Sequence, residues 1–558
     1  MSPFARSSTT RPGRVWRDQL ADPFRRFRAA LTADTGLWSW MLATLLAVVA
    51  AVVVYTMITG NVWEDFLITL RFGQNLVEGN GLVYYPGERV HGFTSVINTL
   101  LPVVFLKLGD VENFRGALAG YRVSSVLALL GGLAVLLYAL SREKDLSRTA
   151  RWAFSALLAL DFKLVAFASN GMESGFLVGF LAVALAIALR GTSRYWLIAG
   201  LTWAGLLYTR PDTPLYIGLL SLFSIWLHRE TRKAELAGLL KAAAICTLLY
   251  LPWLLWVWSY YGSPIPHTIT AKAAYSVTAT NKAWFYKLTD LWANLPMEAA
   301  RVFLPVYADP RDWWMPGTLA ALLAAVAAAF AWSWNRADRV ARGLSVVFVA
   351  LLFYFSFLQV RLLPFPWYFP PATLIGSVVL ARGLAGRTTG LRRWGGRILV
   401  LGLIGALAAN WWFGVRCIRI QQKEVEYGNR MLIGLWLKDH VRTGETVFLE
   451  PLGYIGYFSR AQMRDYPGLV SPETVTAIRS CRGDLGSTAL ALQPDWLVLR
   501  EWEEADLLAR PGFARQYECV IAMSARARLA AYGRFWGDSY PNTDAFFAIY
   551  HRRSALFR

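Results

Sequence analysis

Cysteine and histidine are scarce, at four and five among 558 residues, and no spacing among them resembles a zinc site. Acid is scarce as well: 37 Asp and Glu stand against 57 Lys and Arg, a formal net charge of +20. The basic residues lie in short clusters between apolar runs and form no single nucleic-acid-binding surface, so a nucleic-acid partner is excluded. No internal repeat is evident, which argues against a transporter built from repeated halves. Residues 1–36 do not read as a signal peptide, because they are long and Arg-rich and the apolar run that follows is too long for an h-region. Apolar residues, by contrast, are abundant. They make up 56% of the chain, with 25 Trp and a mean hydropathy of +0.36. Many runs approach the roughly 20 residues a bilayer crossing needs. The composition is that of a polytopic α-helical membrane protein.

The basic clusters orient the chain. A basic arm, residues 1–36 with Arg6, Arg11, Arg14, Arg17, Arg25, Arg26 and Arg28, is expected in the cytoplasm, and 37–59 carries the chain outward. The run Val96–Leu108, at about 13 residues, is too short to span and reads as a re-entrant or interfacial helix. With 121–140 as the second span, Arg142, Lys144, Arg148 and Arg151 fall inside. Spans near 152–167, 172–189, 195–209, 212–228, 241–259, 317–333, 344–359, 367–382 and 398–414 then place every later basic cluster inside. The expected organisation is a transmembrane domain over 37–414 with about eleven spans, a first external loop at 60–120 and a long external loop at 260–315. Residues 415–558 change to the composition of an external α/β domain. A helix is expected over 431–441, with strands at 446–449, 496–499 and 545–550. Cys481 and Cys519 both fall in this domain, where a disulfide between them is allowed.

The stretch Trp63–Ser95 is far more polar than its surroundings. Glu64 and Asp65 stand where a membrane helix emerges into water. Phe66, Leu67, Leu70, Phe72 and Leu76 follow on roughly one face, the pattern of an amphipathic helix on a membrane surface. Gly79, Gly81, Pro86, Gly87 and Gly92 then break the chain into turns. The carboxylate pair reads either as a reaction site or as ordinary acids favoured at a helix N-terminus. Other polar residues gather on the same external side. Glu173 lies in the Ser169–Ser174 hairpin, where a charge at a membrane edge calls for a partner or a role. Arg210 either pairs with Asp212 or holds an anion. His267, Lys272 and Arg361 are further cationic candidates for an anionic ligand. Asp161 and Lys163 sit close together within a span and can neutralise one another. Carboxylates and cations on external loops above a helical bundle suit chemistry on a lipid-linked phosphate whose tail stays in the bilayer.

The series Glu64-Asp65, Leu70-Arg71, Asn75-Leu76, Gly79-Asn80-Gly81 and Gly87-Glu88-Arg89-Val90 resembles the first external loop of GT-C membrane glycosyltransferases. More narrowly, it is similar to the arabinofuranosyltransferase B family of actinobacterial cell-wall synthesis. Ser169–Ser174, Arg210-Pro211-Asp212, Tyr260–Lys272 and Gly468–Pro472 match further motifs of that family in order. The resemblance implies a polyprenyl-phosphate sugar donor, decaprenylphosphoryl-arabinofuranose in that family. It also implies a glycan or glycoprotein acceptor outside the bacterial cytoplasmic membrane. It makes Asp65 the catalytic carboxylate, with Glu64 beside it in place of the family's Asp. Glu173 becomes an acceptor or cation contact, and Arg210 and Lys272 become donor-phosphate ligands, to which the reading of the loops adds His267 and Arg361 as candidates. Arg71, Asn80, Glu88 and Arg89 become loop scaffold. No cofactor is required, and a divalent metal is compatible but not implied. The same fold also serves protein and lipid O-glycosyltransferases with other sugars, and a lipid-linked sugar flippase is the alternative outside enzymes. Near Arg361 the chain departs from the family, reading Gln359-Val360-Arg361-Leu362-Leu363-Pro364 where the family often carries an Asp.

Overall fold

The computed structural model describes residues 35–142, 146–279, 295–306, 308–309, 313–334, 338–358, 365–385 and 391–553. The basic arm up to residue 34 and Arg361 lie outside them. Each expected span falls on a helix or a helix pair. Among the described residues six helices are long and apolar enough to cross a membrane, and a pair bent by 49°, Arg148–Ala159 and Phe162–Ser169, adds a seventh. The bend has a local cause. Asp161 leaves the helical path, and its carboxylate accepts the Leu164 N–H to cap the second helix. Lys163 is not simply neutralised by Asp161; its ammonium donates to the backbone carbonyls of Arg301 and Leu304. Four shorter apolar helices, Val96–Leu108, Ser174–Arg190, Trp196–Thr209 and Pro214–Leu227, and the Pro370–Ala385 helix pack among them.

Small residues draw the bundle's centre together. At Gly132, Gly175 and Gly179 an added Cβ would lie 2.1–2.4 Å from atoms of the facing helix. The Phe114–Ser141 and Ser174–Arg190 helices therefore meet almost backbone to backbone, the close approach that small residues permit between membrane helices. Leucines such as Leu129, Leu133, Leu177 and Leu181 fill the remaining space and are completely buried.

The C-terminal domain does not begin at a break. The Leu391–Ile420 helix continues through a wider-wound π-helical segment, Gln421–Arg430, into Met431–His440. Beyond it lies a five-stranded sheet: β1 Thr446–Leu449, β2 Gln462–Asp465, β3 Trp496–Arg500, β4 Tyr517–Ser524 and β5 Phe546–Arg552, in the order β2-β1-β3-β5-β4. β1 pairs parallel with β2 and β3, and β5 runs antiparallel between β3 and β4. β3 is buried along its whole length, as a central strand covered on both faces should be.

The fold corrects two expectations. Glu64–Val77 is a helix, but it does not lie as an amphipathic surface helix, because Phe66 through Asn75 are all buried. Phe66, Leu67 and Leu70 pack with Tyr121, Phe176 and Tyr454, while Ile68 and Phe72 pack with Ile455 and Val470. Its polar residues are paired, Gln74 donating to the Tyr457 hydroxyl at 2.8 Å. The C-terminal domain covers the face that was expected to meet lipid or water. The second correction is the disulfide: Cys481 and Cys519 are both free. Cys519 sits on edge strand β4, whereas Cys481 ends the Pro472–Ser480 helix, which packs beside β2 at the other edge. Four strand spacings of about 4.8 Å separate those edges, far beyond the roughly 4.4–6.8 Å that bridged Cα atoms allow.

Candidate active site

Two loops tied to each other hold the site. Trp63 N–H donates to the Asn170 carbonyl at 2.8 Å. The Asn170 amide donates to Asn61 Oδ1 at 3.0 Å, and Asn61 in turn donates to Gln422 Oε1 at 3.0 Å. Arg122 braces both loops from below through the Ser169 and Asn61 carbonyls. Gly171 makes the close approach possible. Its φ is +102°, and an added Cβ would lie 2.6 Å from the Phe66 ring. Consequently Asp65, in the first turn of Glu64–Val77, and Glu173, just before Ser174–Arg190, open into one cavity of about 240 Å³.

Arg210 and Asp212 enter the same cavity from the turn between the Trp196–Thr209 and Pro214–Leu227 helices, and Lys272 from the His267–Ala279 helix. Arg210 is fully committed. It donates to Glu173 at 3.0 Å, holds both oxygens of Asp212 at 2.9 and 3.0 Å, and lies over the Tyr368 ring at 4.2 Å. Of the two readings of Arg210, pairing with Asp212 is the one realised. Lys272 differs: among the described residues it has no ion-pair partner, only the Phe365 ring at 5.6 Å. Asp65 is likewise uncommitted, since no described residue donates a hydrogen bond to its carboxylate. Its pKa is raised to about 7, chiefly by burial and also by the Glu64 and Glu173 charges, against the opposing pull of Lys272 and Arg210. A half-buried carboxylate poised near neutrality, facing a free ammonium, has the makings of a general base beside an anion site.

The structure thus brings together Asp65, Glu173, Arg210 and Lys272. Glu64 points elsewhere. One oxygen accepts Arg430 Nη1 at 3.0 Å and the other the Gly453 N–H at 2.8 Å, so it joins this helix to the C-terminal domain. His267 lies outside the cavity lining; its backbone N–H donates to the His91 carbonyl at 2.9 Å, and burial lowers the pKa of its imidazole. The expected scaffold residues hold the loop beside the cavity. Arg71 donates to Gln74 at 3.4 Å and Asn80 to Asn75 at 3.2 Å, Glu88 accepts from Arg464 at 3.2 Å, and Arg89 stands over Tyr260 at 5.0 Å. Asn98, Thr268, Trp367, Tyr368 and Leu469 also line the cavity, and sequence reasoning had not picked them as site residues. Asn98 had a signal, an amide near the start of the mostly apolar run 96–108. Among the described residues no three His, Cys, Asp or Glu side chains are grouped to hold a metal ion, and one Glu173 oxygen is taken by Arg210.

Comparison with known proteins sets this geometry in context. The crystal structure of ArnT from Cupriavidus metallidurans bound to undecaprenyl phosphate superposes with a TM-score of 0.52 at 12% identity, over 93% of this chain and 99% of that one. Its apo form gives 0.51. The chain shares the fold of these ArnT structures. In sequence, a terminal beta-(1->2)-arabinofuranosyltransferase of Corynebacterium glutamicum is 28% identical over 45% of this chain and 40% of its own length. A protein of the same name from Mycobacterium tuberculosis is 30% identical over 28% of this chain and 24% of its own. The matches therefore span less than half of either relative. Residues 417–550 match a family described as a domain of unknown function (DUF8728). The resemblance to arabinofuranosyltransferases is borne out by these relatives.

Proposed function

We propose that this protein is a membrane glycosyltransferase that moves arabinofuranose from a polyprenyl-phosphate donor to a sugar hydroxyl on the outer face of the cytoplasmic membrane, in a cell-wall arabinan. The observation that carries the reading is the pairing, in one cavity, of an uncommitted Asp65 with an uncommitted Lys272. The cavity, about 240 Å³, is smaller than the roughly 300–1,000 Å³ of sites that enclose drug-sized ligands. It suits a sugar-phosphate headgroup whose tail remains in the bilayer. The names of the sequence relatives support the sugar, and the lipid named with ArnT supports the carrier.

In the proposed reaction the acceptor hydroxyl oxygen attacks the anomeric carbon of the donor sugar. The bond from that carbon to the phosphate oxygen breaks, and its electron pair leaves with the lipid phosphate. Asp65 takes the hydroxyl proton, and Lys272 offsets the charge developing on the phosphate. Phosphate leaves readily, so no general acid is needed. Arg210, neutralised by Glu173 and Asp212, fixes the shape of the cavity wall. The cavity opens on the side where the acidic loops emerge, which is outside if the basic clusters stay in the cytoplasm.

The test is transfer in proteoliposomes, with synthetic polyprenyl-phosphoryl arabinofuranose beside the mannose and aminoarabinose analogues and an arabinan-fragment acceptor. Arabinosylated product from the first donor alone supports the proposal. Product from another donor alone leaves the fold standing and overturns the sugar.

A further inference from the structure

Two buried polar atoms in the cavity wall, the Asn98 amide oxygen and the Thr268 hydroxyl, have no hydrogen-bond partner among the described residues, and the proposed chemistry does not use them. Asn98, 1% exposed, stands in the first turn of Val96–Leu108, and its Oδ1 has no hydrogen-bond donor. Thr268, 5% exposed, is the second residue of His267–Ala279, and its hydroxyl has no partner. Both residues line the same cavity as Asp65 and Lys272. Buried polar atoms in native proteins are almost always satisfied, so two orphans in one cavity wall mark where a polar ligand belongs. Their placement says which part of it. Thr268 and Lys272 are four residues apart on one helix and so share a face, just over one turn or about 6 Å apart along the axis. A ligand phosphate held at Lys272 puts the group attached to that phosphate at Thr268.

We propose that Asn98 and Thr268 read a ring hydroxyl of the phosphate-linked sugar and so set the donor specificity of the site. This rests on the lipid-phosphate reading above and adds the residues that distinguish a sugar-bearing carrier from the bare one. The Asn98 amide offers both an acceptor and donors, and the Thr268 hydroxyl offers one of each. A hydroxyl between them satisfies both. A donor lacking that hydroxyl leaves them stranded, which is how polar sites achieve strong discrimination.

The test compares binding of polyprenyl-phosphoryl arabinofuranose and bare polyprenyl phosphate to the full chain in nanodiscs, for wild type, Asn98→Leu, Thr268→Val, Thr268→Ser and Lys272→Met. Wild type is expected to prefer the sugar-bearing lipid. Asn98→Leu and the near-isosteric Thr268→Val should each cut that preference about tenfold while binding the bare lipid as wild type does. Thr268→Ser should keep the preference, and Lys272→Met should weaken both lipids alike. An unchanged preference in well-folded Asn98→Leu and Thr268→Val overturns the inference, as does equal weakening of both lipids by them. If their only defect is a raised KM for the acceptor, the hydroxyl being read belongs to the acceptor and the proposal is wrong. Wild type that binds neither lipid fails the functional reading itself, a result distinct from those.

Discussion

Arg430 offers the sharpest test of how the Asp65 helix is held. It is buried and faces three carboxylates: Glu64 at 3.0 Å, Glu426 at 3.1 Å, and Asp544. Asp544 is shared with Arg500, which also holds Glu450 and Glu503. This charge chain runs from the first turn of the Asp65 helix into the sheet domain. Breaking a buried ion pair costs about 3–5 kcal/mol, because the remaining charge is stranded. For Arg430→Met the three partners differ. Glu64 is a quarter exposed and keeps the Gly453 N–H, so it rehydrates and adds little. Asp544 keeps Arg500. Glu426 is buried, and with Arg430 present its pKa already stands at about 7, raised by burial and lowered by Arg430. Removing Arg430 raises it further, so Glu426 takes up a proton. The loss should therefore fall near the low end, about 3 kcal/mol at pH 8. The deficit narrows as pH falls below about 7, where Glu426 is protonated with or without Arg430. Melting of wild type and Arg430→Met in nanodiscs between pH 6 and 8 reads this directly. A variant that melts with wild type at pH 8, or whose deficit grows on acidification, refutes the reasoning.

Three further outcomes are expected. The kcat/KM for donor should rise with unit slope and level off above about pH 7 as Asp65 ionises, and the inflection in kcat should lie higher, because the bound anionic donor disfavours the carboxylate; stopped assays across pH 5–9 check both. Lys272→Met should lower kcat/KM on the order of 10²-fold with normal melting, whereas Arg210→Met, which strands Glu173 and Asp212, should lower the melting temperature as well. Cys481→Ser and Cys519→Ser should leave melting unchanged with or without reductant, since both thiols are free.

The residues show what the sequence could reveal and what it could not. Apolar run length and basic clusters located the helices, because those signals are local. The Ser169–Ser174 hairpin declared itself by placing Glu173 at a membrane edge, and Asp65 by standing at a helix start beside Gly-rich turns. What eluded the sequence came from contacts between distant segments. Glu64 and Asp65 are adjacent and chemically alike, yet Arg430 and Gly453, more than 360 residues away, engage one and not the other. The burial of Phe66 to Asn75 likewise depends on Tyr454 and Tyr457. β2 and β4 were missed because Gln462–Asp465 is polar and β4 is mostly exposed, so neither shows the apolar alternation that marks a strand. The disulfide failed because spacing along the chain does not say which sheet edge a cysteine occupies.

The central claim is that Asp65 accepts the acceptor's proton. Its direct test is single-turnover transfer by Asp65→Asn with donor prebound. The amide is nearly isosteric and removes a buried charge, so above pH 7 the variant should melt no lower than wild type. Donor binding should persist while the transfer rate falls on the order of 10²–10⁴-fold. A well-folded Asp65→Asn that transfers within a few-fold of the wild-type rate would contradict the account.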